Sequence, residues 1–96
     1  MLKPAPMARY KRDVKRLREA GTDMTKLNEL LALLVSETPL PSRYKDHELT
    51  GNLHKWRDAH IEDDWVLVYR VIGQRLLLAR TGTHEHVFRG SKRRRT

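Results

Sequence analysis

Four residues stand at the ends of apolar runs and carry side chains that move protons or hold phosphate: His60, Asp64, Arg80 and His84. An imidazole titrates near neutral pH, so a histidine serves there as general base or general acid. A carboxylate can take a proton or orient the group that does, and an arginine grips a phosphoryl group through paired N–H donors. Together, and without a metal, these groups suit the breaking of an RNA phosphodiester. One takes the 2′-hydroxyl proton, one protonates the departing oxygen, and the cation holds the phosphate. The chain has no cysteine, which excludes a thiolate nucleophile, a disulfide frame and a cysteine zinc site.

Each candidate also has a plainer reading. His54 and His86 read as exposed histidines of a basic protein, and Arg80 as the partner of a structural ion pair with Asp58 or Asp64. Against the latter, an arginine closing a buried strand is costly without a specific partner. Trp65 and Tyr69 read as core, whereas Trp56 is either core or a platform for a nucleobase. His84-x-His86 with Asp63 and Asp64 offers metal donors, but no spacing such as HExxH supports a metal site.

The elements that must position these residues follow from periodicity. His60 to Phe88 reads as two apolar runs joined at Gly73-Gln74, where glycine suits the positive φ of a tight hairpin. In the first run Trp65, Leu67, Tyr69 and Val71 alternate with Val66, Val68 and Arg70. Leu76 to Ala79 is apolar throughout, as in a strand buried on both faces. An ideal hairpin, with a connection at Ile61–Asp64, sets His60 opposite Trp65 and Arg80 opposite Leu67, all on one face. A first core strand precedes it over Trp56–Ile61, and His84–Phe88 suits one helical turn.

Upstream, Pro4 and Pro6 restrict the first residues to an edge strand or a loose arm. Tyr10, Val14 and Leu17 form an apolar stripe on a helix over Ala8–Ala20, with Gly21 as its stop. Asp23 caps a second helix over Met24–Ser36, and Pro39 and Pro41 end the helical part. The 96 residues thus make one α+β domain: two antiparallel helices on a three- or four-stranded antiparallel meander. Arg89–Thr96 reads as a flexible basic tail. The net charge of +8 favours polyanionic partners. With no membrane-length apolar run and no signal-peptide pattern, a cytoplasmic protein is expected.

Several blocks then carry a resemblance. They are Arg43-Tyr44-Lys45-Asp46-His47-Glu48-Leu49-Thr50-Gly51-Asn52, Arg57-Asp58-Ala59-His60-Ile61, Asp64-Trp65-Val66-Leu67-Val68-Tyr69, Ala79-Arg80-Thr81-Gly82-Thr83-His84 and Phe88. In order and spacing they resemble the YafQ branch of the RelE/ParE toxin superfamily, over most of the chain from Lys11 to Phe88. Three features depart from the family pattern: Asp63 where relatives often have proline, Pro4 and Pro6 in the first strand, and the Lys92–Arg95 run.

The resemblance implies a RelE-like toxin domain over residues 1–88, two antiparallel helices packed on a small antiparallel sheet. It implies the toxin of a type II toxin–antitoxin pair, a ribosome-dependent endoribonuclease that cuts mRNA in the A site and needs no metal or other cofactor. By the same resemblance His84 is the general acid, and Asp64 or His60 the base. Arg80 and His47 hold the scissile phosphate, and Phe88 positions a base. Arg9, Lys11, Arg12, Lys15, Arg16, Lys45 and Trp56 are the candidates for contacts to mRNA or to the 16S rRNA of the 70S ribosome. A cognate antitoxin, encoded next to the toxin, would silence it and carry the pair to operator DNA. A ParE-like gyrase poison and a non-catalytic RNA-binding module are the rival readings.

Overall fold

The computed structural model describes the backbone of residues 1–93 and the side chains of residues 1–88. Its centre is the Leu76–Ala79 run, apolar on both sides and therefore stable only inside a sheet. That run lies in β5 (Arg75–Gly82), between β4 (Trp65–Ile72) and the edge strand β1 (Lys3–Pro6). On the far side of β4 lie β3 (Arg57–Glu62) and the two-residue β2 (His47–Glu48), giving the order β1-β5-β4-β3-β2. The sheet has five strands rather than three or four, and β1 runs parallel to β5 while every other pair is antiparallel. Pro4 and Pro6 allow this because they take alternate positions of an edge strand. Lys3 N–H donates to Gln74 O at 2.8 Å and Met7 N–H to Leu78 O at 2.9 Å, so the residues without N–H groups turn outward.

Helix α1 (Ala8–Glu19) and helix α2 (Thr25–Val35) cover one face of the sheet. Gly21, at φ +82°, ends α1 with Thr22 N–H returning to Leu17 O, the closure that a left-handed residue permits. Asp23 Oδ1 accepts the Thr25 N–H at 2.9 Å and satisfies one donor of the α2 start. Tyr10, Leu27, Leu30 and Leu34 pack there against Ala59, Leu67, Tyr69, Leu76 and Leu78. Tyr44, from the short 3-10 turn Ser42–Tyr44 between α2 and β2, is also buried in this core.

The register differs from the ideal hairpin and moves the site to the other face. Ile72 pairs with Arg75 around Gly73-Gln74 as expected, but the ladder shifts by one between Val68 and Tyr69. A second shift lies between His60 and Glu62. Arg80 therefore pairs with Val68 and His60 with Val66, not with Leu67 and Trp65. A slip of one residue exchanges the faces of a strand, so the backbone positions of His60 and Arg80 share a face with Val66 and Val68, opposite the main core, while the long Arg80 side chain reaches back to Asp13 of α1. A small second core of Val66, Val68 and Phe88 lies on that face. Phe88 comes from α3 (His84–Arg93), which continues past the single turn expected and changes direction at Phe88 (φ −106°, ψ 15°). Gly90 weakens a helix without ending it. Side chains of the basic Arg89–Thr96 segment, and all of residues 94–96, lie outside the described residues, so the flexible-tail expectation is not addressed there.

Candidate active site

Three imidazoles and one phenyl ring form a row across the second face. The His47 and His60 ring centroids are 6.3 Å apart, His60 and His84 6.4 Å, and His84 and Phe88 4.7 Å. They come from β2, β3 and the start of α3, so the row spans three sequence-distant segments only because the sheet joins them. His47 Nδ1 lies 2.8 Å from Lys45 O. A carbonyl can only accept, so this bond places the proton on Nδ1, and neutral His47 keeps the Nε2 lone pair for another proton.

Asp58 lies beneath the row. Its side chain is 1% exposed, and Oδ2 stands 3.7 Å from Nε2 of both His47 and His60. Among the described residues its Oδ1 has no hydrogen-bond partner. Burial pushes its pKa above the usual carboxylate range, against the pull of His60, His47 and His84. A carboxylate so poorly satisfied is unusual in a folded interior, and it stabilises positive charge on the imidazoles around it. From sequence, Asp58 stands out only as a candidate ion partner of Arg80. The Asp58-x-His60 spacing, which puts both on one strand face, was the signal available.

The two remaining candidates are engaged differently. Asp64 is exposed and its Oδ1 accepts the backbone N–H of His84 at 3.2 Å, tying the β3–β4 turn to the start of α3. That contact sets where His84 stands. Arg80 donates through Nε to Asp13 Oδ2 at 2.8 Å and through Nη2 to Asp13 Oδ1 at 3.3 Å, so its ion partner is neither Asp58 nor Asp64. Asp13, 2% exposed on α1, also accepts the Thr81 N–H at 3.0 Å. That N–H lies beyond the end of β1, where the edge of β5 would otherwise be unpaired. Burial alone would raise the Asp13 pKa, but the bonds from Arg80, Thr81 and Arg16 outweigh it and hold the carboxyl below its ordinary value.

The RNA-binding candidates of α1, Arg9, Lys11, Arg12, Lys15 and Arg16, are all exposed, as is Lys45 beside the histidine row. Arg16 Nη1 lies 2.8 Å from His86 Nε2, which turns His86 toward α1. Trp56 is half-buried against the second core, with the Arg70 guanidinium 5.9 Å from its ring. Among the described residues no group of three or more His, Asp or Glu side chains is arranged to hold a metal ion. No helix there is long and apolar enough to cross a membrane.

Comparison with known proteins adds lineage to this geometry. Residues 2–89 match the family described as "Bacterial toxin of type II toxin-antitoxin system, YafQ". The mRNA interferase toxin YafQ of Escherichia coli is 46% identical over 80 residues, 82% of this chain and 87% of that protein. The crystal structure of YafQ from E. coli strain BL21(DE3) superposes with a TM-score of 0.86 at 38% identity, covering 92% of this chain and 99% of that one. The toxin in the crystal structure of the E. coli DinJ-YafQ complex gives 0.84 at 39% identity, over the same shares of the two chains. Through a match spanning nearly its whole length, the chain belongs to the YafQ family of bacterial type II toxin–antitoxin toxins.

Proposed function

We propose that this protein is an mRNA interferase: a cytoplasmic endoribonuclease that cuts message in the ribosomal A site. The observation that carries the reading is the row His47–His60–His84–Phe88 over the buried Asp58. The substrate supplies the nucleophile. Its 2′-hydroxyl attacks the adjacent phosphorus, giving a 2′,3′-cyclic phosphate and a 5′-hydroxyl end. His84, exposed at the head of α3, protonates the departing 5′ oxygen, and Phe88 beside it stacks on a base. His60 takes the 2′-hydroxyl proton, and His47 faces the phosphate with it. Asp58 supports the imidazolium that forms. Asp64 positions His84 through the backbone, a role that favours His60 over Asp64 as base. Arg80 is held by Asp13 through Nε and Nη2, and its Nη1 serves the phosphate.

The exposed cations of α1 make contacts to 16S rRNA that carry no sequence information. The same basic surface receives an acidic segment of a cognate antitoxin encoded nearby; a relative, YafQ of E. coli, forms a complex with DinJ. Operator DNA is then reached through the antitoxin.

One experiment tests the chemistry. A ribosome-bound message carries a single 2′-deoxy or 2′-O-methyl nucleotide just before the cut. Cleavage should vanish while binding persists, and His84→Ala on an unmodified message should lose about 10²–10⁴-fold in rate. Continued cutting of the modified message, leaving a 3′-hydroxyl or plain monophosphate end, would overturn the mechanism. Growth arrest unrelieved by His84→Ala, with intact mRNA and DNA damage, would replace it with gyrase poisoning.

A further inference from the structure

A cavity of about 250 Å³ opens beside His60, between the first turns of α2, the segment around Tyr44 and the β3–β4 turn. It lies just below the roughly 300–1,000 Å³ of small-molecule pockets, a size that suits one nucleoside better than a larger ligand. Its walls are of mixed charge. Lys26, Arg43 and Lys45 supply cations, and Glu29, Glu62 and Asp63 supply carboxylates. Lys26 Nζ and Glu62 Oε2 are paired at 2.8 Å. Glu29 and Asp63 are exposed and make no side-chain hydrogen bond among the described residues, so a ligand entering the cavity finds both carboxylates available as acceptors.

We infer that this cavity is the subsite for the nucleoside immediately 5′ of the cut, and that Glu29 and Asp63 select a base bearing an exocyclic amino group. The inference rests on the nuclease reading, because the roles of His60 and His84 set the direction of the RNA. The base that takes the 2′-hydroxyl proton lies on the 5′ side of the scissile phosphorus, and the acid that serves the leaving oxygen lies on its 3′ side. With His84 beside Phe88 and His60 beside the cavity, the strand runs 5′ to 3′ from the cavity toward Phe88.

The walls then match the parts of a nucleotide. The Arg43 guanidinium lies 4.8 Å over the Tyr44 ring, and Nη2 donates to the Tyr44 hydroxyl at 3.0 Å. That pairing holds a flat cation on which a base can stack. Lys45, in the left-handed region at φ +47°, links the cavity rim to His47 through its carbonyl and meets the RNA backbone with its ammonium. Carboxylates accept from the amino groups of adenine, cytosine and guanine. Uracil presents carbonyl oxygens at those positions, so it offers the carboxylates its ring N3–H alone and binds less well. Lys26, Arg43 and Lys45 offset the repulsion between the carboxylates and the phosphates.

The test uses the full-length protein on ribosomes programmed with four messages that differ only in the base before the cut. Cleavage rates are measured on unmodified messages, and affinities on 2′-O-methyl versions that cannot be cut. Uracil should be disfavoured by about tenfold or more in both. Glu29→Gln with Asp63→Asn, two exposed positions whose change leaves the fold intact, should shrink that gap to about twofold or less. Equal rates and affinities for all four bases, or a gap untouched by the double variant, would overturn the inference. If no message is cut yet affinities still rank by base, the subsite stands and the nuclease reading falls.

Discussion

Asp13 and Asp58 are buried to nearly the same extent, yet the protein treats the two carboxylates in opposite ways. Asp13 is met by Arg80 through two donors, by the Thr81 N–H and by Arg16. Among the described residues, Asp58 meets imidazoles at 3.7 Å and leaves Oδ1 with no hydrogen-bond partner. The surroundings lower the first pKa and raise the second. A satisfied buried charge joins elements: here α1 is pinned to the open edge of β5. An unsatisfied one costs stability, and its position beneath the proton-transferring groups is where that cost has a use.

The largest effect should follow from breaking the satisfied site. Asp13→Ala leaves Arg80 and the Thr81 N–H without their acceptor, and removing one partner of a buried pair costs about 3–5 kcal/mol. Urea unfolding followed by circular dichroism should show that loss. A loss under about 1 kcal/mol would mean that Asp13 is no anchor, and the contrast would collapse. The native protein should also lose stability in acid through this group. Its folded pKa lies below the unfolded value, so its contribution is full above the unfolded value of about 4. It disappears as pH falls through the folded value. Asp13→Ala should flatten that part of the pH profile.

Asp58→Asn should behave in the reverse sense. A folded pKa above the unfolded one means that the native state favours the protonated carboxyl, so its contribution is present in acid and lost as pH rises through the folded value. The variant should therefore match the native protein below about pH 4 and exceed it in stability near neutrality. Cleavage should nonetheless fall about tenfold to a hundredfold, a part of what a general acid–base pair supplies. A merely structural Asp58 would give lower stability and an unchanged cleavage rate.

These two carboxylates also mark where sequence reading ended. Alternation and the Gly73-Gln74 turn placed the hairpin, and helical spacing placed α1 and α2, because those signals are local. The blocks around His47, His60, His84 and Phe88 carried a resemblance, and the structure brings those four residues into one row. The bulges at Val68/Tyr69 and His60/Glu62 left no local signal, and each turns the strand by one residue, so the face was misassigned. Asp13 stands beside an apolar stripe amid cations and reads as a solvated charge until β5 is placed against it. Tyr44 lies between Arg43 and Lys45, and only the fold shows that it is buried in the main core.

The smallest effect sharpens the contrast most. Arg16 touches Asp13 at 3.3 Å, but its side chain is 56% exposed, and solvent and salt weaken such a contact. With Arg80 and the Thr81 N–H still in place, Arg16→Ala should change stability by no more than about 0.5 kcal/mol. Its effect should appear in function instead. If Arg16 meets a phosphate of the ribosome, its loss should weaken binding equally for all messages and lower the salt slope of binding by about one. A stability cost approaching that of Asp13→Ala, with an unchanged salt slope, would make Arg16 part of the anchor. Asp13 would then depend on its exposed partner as much as on its buried ones, and burial would no longer be what divides the scaffold from the site.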